Sequence, residues 1–244
     1  MKTMLVLSMG ALLLAGTLSA QTPVPEWQAG VDKMKSLIQT NPAQASEEVG
    51  ELLKGKNKKN VDLVTSVAHV YLDAGKLTEA QEYLAMAKKA DNKDPKVSVL
   101  EGDIALAQKN IGQACQLYEQ AIYFDPNCKE AYLKYAQAYK SASPALAIEK
   151  LEQLKAVDPN CLEADRELAE VYYSSNRFGK AAEMYAKFID TPLATEDDML
   201  KYAFALFLNH DFEKSLQVAQ KGLQKNARHA AFNRLVMYNN TDLK

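Results

Sequence analysis

The residues best suited to metal or nucleophile chemistry are three cysteines and three histidines, and their spacing supports neither. Thirteen residues separate Cys115 from Cys128, about 20 Å along a helix, too far for Cys115, Cys128 and Cys161 to hold one metal ion. His69, His210 and His229 stand far apart, and no HExxH places two imidazoles on one helix face. The sequence also lacks a GxSxG elbow, a GxxxxGK(S/T) phosphate loop and a GxGxxG turn. Its many carboxylates fall on helix positions that ordinarily face solvent. The chain is therefore read as non-enzymatic, with no catalytic residue, no metal site and no cofactor.

The elements that would carry any site are helical. The chain has 244 residues, long enough to bury a core without disulfide staples. Hydrophobic residues make up 48% and charged residues 25%, which excludes disorder of the whole chain and a polytopic membrane protein. A net charge of −2 provides no basic field, so nucleic acid is not an expected partner. Only 10 Gly and 8 Pro interrupt a sequence rich in Ala, Leu, Lys, Glu and Gln, which favours helix over strand.

Residues 1–20 (MKTMLVLSMGALLLAGTLSA) read as a secretory signal peptide. Lys2 precedes an apolar run from Met4 to Leu18, and the small residues Ser19 and Ala20 precede polar Gln21. The run is shorter than the ~20 residues that span a bilayer, which argues against an uncleaved anchor. Cleavage is expected after Ala20, leaving no membrane span and an exported protein of the periplasm or envelope.

A repeat occupies the rest. The motif DPNC recurs at 125–128 and 158–161, and a small residue recurs at Ala80, Ala114, Ala147, Ala181 and Ser215, in steps of 34, 33, 34 and 34. The short step coincides with the turn at Ser143-Pro144. Val67, Val70, Tyr71 and Ala74 follow the i, i+3, i+4, i+7 spacing of one helix face, and Leu77, Ala80, Tyr83, Leu84 and Ala87 repeat it on the next. Gly75 between them ends the first helix. Asp125-Pro126 and Asp158-Pro159 end second helices, because proline disfavours helical backbone before it and donates no hydrogen bond.

This pattern resembles the tetratricopeptide repeat family. A further small site falls at Ala68, Gly102, Ala136, Ala169 and Ala203, with an aromatic three residues on at Tyr71, Tyr139 and Tyr172. Tyr118 and Tyr185 supply the second-helix aromatic, whereas the early Trp of the motif is absent from every copy. The resemblance implies an all-α fold, a right-handed α-solenoid of stacked antiparallel helix pairs. Its copies are expected at 61–94, 95–128, 129–161, 162–195 and 196–229. A leader and degenerate copy with Ser46 at its small site occupy 21–60. Residues 230–244 form a partial sixth repeat or a capping helix. The run AAFNRLVMY at 230–238 offers little polar outer face for a cap. Stacked pairs separate equivalent positions by about 10 Å, beyond the roughly 7 Å reach of a disulfide, so three free thiols are expected.

The resemblance also implies that the first helices line a concave, partner-binding groove. Mapped onto this sequence, its facing positions give Asp62, Thr65, His69, Leu72 and Asp73, then Lys96, Val99, Asp103, Leu106 and Ala107. Glu130, Leu133, Gln137, Lys140 and Ser141 follow, then Glu163, Arg166, Glu170, Tyr173 and Ser174. The last copy supplies Asp197, Leu200, Phe204, Phe207 and Leu208. Seven acids face three bases in that set, which favours a neutral or basic protein segment. The ninth positions, His69, Asp103, Gln137, Glu170 and Phe204, do not match the Lys/Asn clamp with which some family members hold a C-terminal carboxylate. Leu200, Phe204, Phe207 and Leu208 form either a peptide anchor or core packed near Phe232 and Leu235. The functional expectation is a non-catalytic scaffold for protein–protein interaction. The alternatives are an assembly arm of a larger envelope complex, as a piece of a longer repeat protein, and a small-ligand binder.

Overall fold

A computed structural model describes residues 24–242, apart from the side chain of Asp242, so the leader at 1–20 lies outside the described residues. The described residues form thirteen α-helices, a single 3-10 turn and no strand. Six helices are joined in pairs to the helix that follows. The pairs are α1 (Gln28–Leu37) with α2 (Pro42–Leu52), α3 (Val61–Asp73) with α4 (Leu77–Ala90), and α5 (Pro95–Ala107) with α6 (Ile111–Phe124). They continue with α7 (Lys129–Tyr139) and α8 (Pro144–Val157), α9 (Leu162–Ser174) and α10 (Phe178–Phe188), and α11 (Glu196–Leu208) and α12 (Phe212–Lys225). A last helix, α13 (Ala230–Asp242), packs on α11 and α12. Each second helix from α4 onward packs against the first helix of the next pair, giving an α-solenoid. The lysine-rich stretch 54–60 is the 3-10 turn Gly55–Lys59.

Local chemistry sets the helix ends. Asn41, Asn60 and Asn110 accept hydrogen bonds from the backbone N–H groups of Gln44, Leu63 and Gln113, covering donors the helix leaves open. Asp94 caps α5 with Pro95 in its first turn, and Thr195 and Asp198 form a reciprocal capping box on α11. Four first helices end on a left-handed residue: Gly75 (φ +74°), Lys109 (64°), Asn176 (57°) and His210 (62°). The next residue in each turn donates back to a carbonyl five residues earlier, at 2.8–2.9 Å, for example Lys76 to Tyr71 and Arg177 to Tyr172. The α7–α8 connection, where the small sites Ala136 and Ala147 stand one residue closer than in the other pairs, contains no left-handed residue.

Small residues let the paired helices approach. Ala68, Ala80, Ala114, Ala147, Ala169, Ala181 and Ala203 are fully buried. A Cβ on Gly102 would stand 2.5 Å from the Tyr118 ring, which fills that gap. In α2 the buried small residue is Ala45 rather than Ser46. Ser46 is exposed and its hydroxyl donates to the Pro42 carbonyl at 3.1 Å, because α2 starts one residue earlier than a 34-residue step requires.

The outer face of α13 is mixed, with Met237 and Tyr238 exposed beside Asn233, Arg234 and Asn240. Phe232 and Leu235 turn inward and are fully buried, with the Phe232 ring seated over Gly222. Asn233, Met237 and Asn240 face outward. Asn240 holds the register place that Tyr71, Ala105, Tyr172 and Leu206 fill with buried side chains on other first helices. The three cysteines are free thiols, with Cys115 and Cys161 buried. Burial is the main cause that pushes the Cys115 thiol up to about 11.

Candidate functional site

Two clefts open side by side along the first helices. One, of about 320 Å³, is walled by Pro25 and Trp27 ahead of α1 and by Asp62, Thr65, Ser66, His69, Lys96 and Glu130. The next, of about 500 Å³, is lined by His69, Leu72, Asp73, Asp103, Leu106, Ala107, Glu130 and Lys134. His69 and Glu130 line both, so the clefts join into one groove over α3, α5 and α7.

Most of the groove acids expected to meet a partner already meet the chain itself. Asp62 is ion-paired with Lys96, and Glu163 accepts from Lys129 at 2.7 Å. The Lys129 hydrogen bond is the main cause holding the Glu163 carboxyl below its usual range. Asp197 pairs with Lys201 at 2.8 Å, and Arg166 reaches buried Asp198 at 3.1 Å. Gln137 donates to Glu167 at 2.8 Å. Asp73 and Glu130 are exposed and stand outside all salt bridges of the described residues.

Asp103 and Glu170 differ from the rest and resemble each other. Asp103 is only 8% exposed, so it is groove floor rather than a free carboxylate. It accepts from the Tyr118 hydroxyl at 2.7 Å and from Lys134 at 2.9 Å, and His69 Nδ1 lies 3.7 Å away. Glu170 accepts from the Tyr185 hydroxyl at 2.8 Å, from Lys201 at 2.9 Å and from Lys140 at 3.4 Å. Each carboxylate thus has a tyrosine behind it on its own second helix and a lysine beside it on the next first helix. The three residues of one set recur 67 positions later in the other. Burial pulls the Glu170 carboxyl upward. Its hydrogen bonds with Lys201 and Tyr185, and the charges of Lys140 and Lys201, outweigh that and hold it below its usual range. Burial, then the adjacent carboxylate, pushes both tyrosine phenols up, so they remain donors.

The apolar end of the expected groove is packed. Leu200, Phe204 and Phe207 lie half-buried against a cluster with Phe232 and Leu235 at its centre. The Phe207 ring lies 5.4 Å from Phe212 and 6.2 Å from Tyr238. Leu208 stays 44% exposed. Tyr173 meets Phe178 edge-on at 5.7 Å, and Val99 is core.

The groove residues that sequence reasoning missed are Lys134 and Lys201, at the sixth place of their helices, Lys129, Asp198, and the Pro25–Trp27 wall. The shared 67-residue offset of Asp103/Glu170, Tyr118/Tyr185 and Lys134/Lys201 is the signal that could have found the lysines. Among the described residues no group of three His, Cys, Asp or Glu is placed to hold a metal ion. No described helix is long and apolar enough to cross a membrane.

Comparison with known proteins agrees with this geometry. The profile of the tetratricopeptide repeat family matches residues 65–127 and 137–194. No curated protein matches the chain. Among solved structures, PilW, a widely conserved type IV pilus biogenesis factor, is 17% identical with a TM-score of 0.65, over 86% of this chain and 97% of that one. The pilF protein of Pseudomonas aeruginosa is 16% identical with a TM-score of 0.62, over 85% and 95%. YrrB, described as a TPR protein with an unusual peptide-binding site, is 14% identical with a TM-score of 0.55, over 76% and 95%. At these identities the likeness is one of fold, and with the profile match and the stacked pairs it places the chain: it belongs to the tetratricopeptide repeat family.

Proposed function

We propose that the chain is an exported, non-catalytic scaffold that holds a segment of a protein partner along its first-helix groove. The observation that carries this reading is the joined cleft over α3, α5 and α7, where Asp73 and Glu130 are left without a cation of their own. Leu72, Leu106 and Ala107 give that cleft an apolar wall, and Trp27 closes its first end. An extended segment with a basic side chain and an apolar neighbour suits such a lining. The internal pairing elsewhere narrows the acidic preference to this half of the groove. The signal-like leader supports export, and the fold likeness to PilW, described as a type IV pilus biogenesis factor, agrees with an envelope setting.

The test compares the chain with Asp73→Lys/Glu130→Lys, both immobilised and exposed to envelope extract from the source organism. Partners retained by the parent are purified and titrated against both forms. Binding is expected to fall at least tenfold in the variant and to weaken with salt, since the lost contacts are exposed charges. A partner held equally by both forms overturns the groove reading.

A further inference from the structure

A second cleft, of about 410 Å³, lies away from the groove, where α10 meets α11 and α12. Ala182, Ala186 and Leu206 give it an apolar lining, Tyr202 lines it beside them, and Glu183, Asp211 and Lys214 stand at its edge.

Comparison of the repeats explains why it is open. The corresponding place between α6, α7 and α8 holds Cys115, Glu119, Tyr135, Tyr139 and Lys150, each in the same register as Ala182, Ala186, Tyr202, Leu206 and Val218. There the cleft is filled from within. Lys150 lies 4.7 Å from the centre of the Tyr135 ring and 3.3 Å from Glu119, and its side chain is only 12% exposed. The register place of Lys150 is Leu117 in α6 and Met184 in α10, both long side chains. In α12 it is Val218, too short to reach across, and Ala186 stands where Glu119 stood. The tyrosine is retained, but among the described residues no cation lies over its ring; Lys214 stands at the cleft edge.

The charge of the edge fits a cation. Asp211 is paired with Lys214 at 2.7 Å. Glu183 is exposed and outside all salt bridges of the described residues, which leaves one carboxylate unbalanced. We propose that this cleft is a second recognition site, independent of the groove, that takes one lysine or arginine side chain from a protein partner. The stem lies against Ala182, Ala186 and Leu206, as long basic side chains cover apolar surface. The cation sits over the Tyr202 ring and beside Glu183, repeating with a partner's residue the arrangement the chain makes with Lys150.

The test uses the full chain with isotope-labelled alanine methyls, titrated with Ac-Ala-Arg-Ala-NH2 and, separately, Ac-Ala-Ala-Ala-NH2. The arginine peptide is expected to give saturable shifts at the Ala182 and Ala186 methyls, and the alanine peptide none. Ala186→Glu/Val218→Lys rebuilds the internal pair and is expected to abolish the shift at Ala182. Glu183→Gln, an exposed change that leaves the packing alone, is expected to weaken binding roughly threefold with the unfolding midpoint unchanged. The proposal is overturned if the two methyls do not move or respond equally to both peptides. It is equally overturned if the folded double variant still responds at Ala182, or if Glu183→Gln binds as tightly as the parent. Shifts confined to Ala107 place the peptide in the groove and also overturn it.

Discussion

The two halves of the first-helix face are built from the same repeat and share one buried device, Asp103 with Tyr118 and Lys134 and Glu170 with Tyr185 and Lys201, but differ in the acids they leave unpaired. Over α3, α5 and α7, Asp73 and Glu130 stay in water beside a joined cleft. Over α9 and α11, Glu170 collects Tyr185, Lys201 and Lys140, Arg166 reaches buried Asp198, and Phe204 and Phe207 pack towards α13. The contrast shows that a groove position does not by itself define a binding residue. What decides is whether the neighbouring helix supplies a donor that spends the carboxylate internally. The earlier half ties successive pairs through Asp62–Lys96 and Asp103–Lys134 yet leaves Asp73 and Glu130 unpaired, whereas every first-helix groove acid of the later half is paired.

The largest test of that contrast is Glu170→Ala against Glu130→Ala. Removing Glu170 strands Lys140 and the Tyr185 hydroxyl around a part-buried space and leaves Lys201 with Asp197 alone. The expected cost is about 2–3 kcal/mol, below the roughly 3–5 kcal/mol of a fully buried pair because both ammonium groups keep some contact with water. Glu130→Ala should stay within about 0.5 kcal/mol. Acid adds a signature. The Glu170 carboxyl is held below its unfolded value, so its stabilisation is complete above roughly pH 4.3 and is lost as pH falls through the depressed folded value. Denaturant unfolding should therefore show the gap between parent and Glu170→Ala closing on acidification. Equal costs at the two sites, or a gap that widens in acid, would break the contrast.

A second test concerns the packed end. Phe207 is half-buried and touches both Phe212 and Tyr238, so Phe207→Ala should cost about 2 kcal/mol, less than a fully buried Phe. Hydrogen exchange should speed up in α13 and leave α3 to α6 unchanged, since solenoid pairs are stabilised by their neighbours. Unchanged protection in α13 would return Phe207 to the list of partner anchors.

How much of this was legible in the sequence depends on the range of the interaction. The all-α solenoid follows from the small residues at Ala80, Ala114 and Ala147 and from the helical spacing around Tyr71, because both record contacts within a pair. The fate of the groove acids was hidden, because Lys134 and Lys201 belong to the next pair and lie outside the facing positions the family pattern singles out. The tally of seven acids against three bases counted carboxylates without their donors. Phe204 and Phe207 could be read either as anchor or as core until α13 was in place, and Trp27 reached the groove wall through a turn that no repeat pattern covers. Ser46 slipped by one residue because α2 begins early, a shift set by the Asn41 cap and Pro42 rather than by the period.

The smallest expected effects compare the turns that end the first helices in the two halves. Gly75 takes the left-handed conformation freely, whereas Lys109, Asn176 and His210 take it with a Cβ that crowds the carbonyl. Replacing Lys109 by Gly removes that crowding and also frees the unfolded chain. The balance should favour the folded state by about 0.5–1 kcal/mol. His210→Gly should gain less, because His210 gives up an edge contact with the Phe212 ring at 5.7 Å. Asn176→Gly should gain least, because asparagine tolerates left-handed backbone. Gly75→Ala carries the opposite sign, a loss of about 1 kcal/mol. Urea midpoints of the four variants give the order directly. If Lys109→Gly is the least stable of the three glycine variants, crowding of the Lys109 Cβ at the turn is not what limits stability at the end of α5.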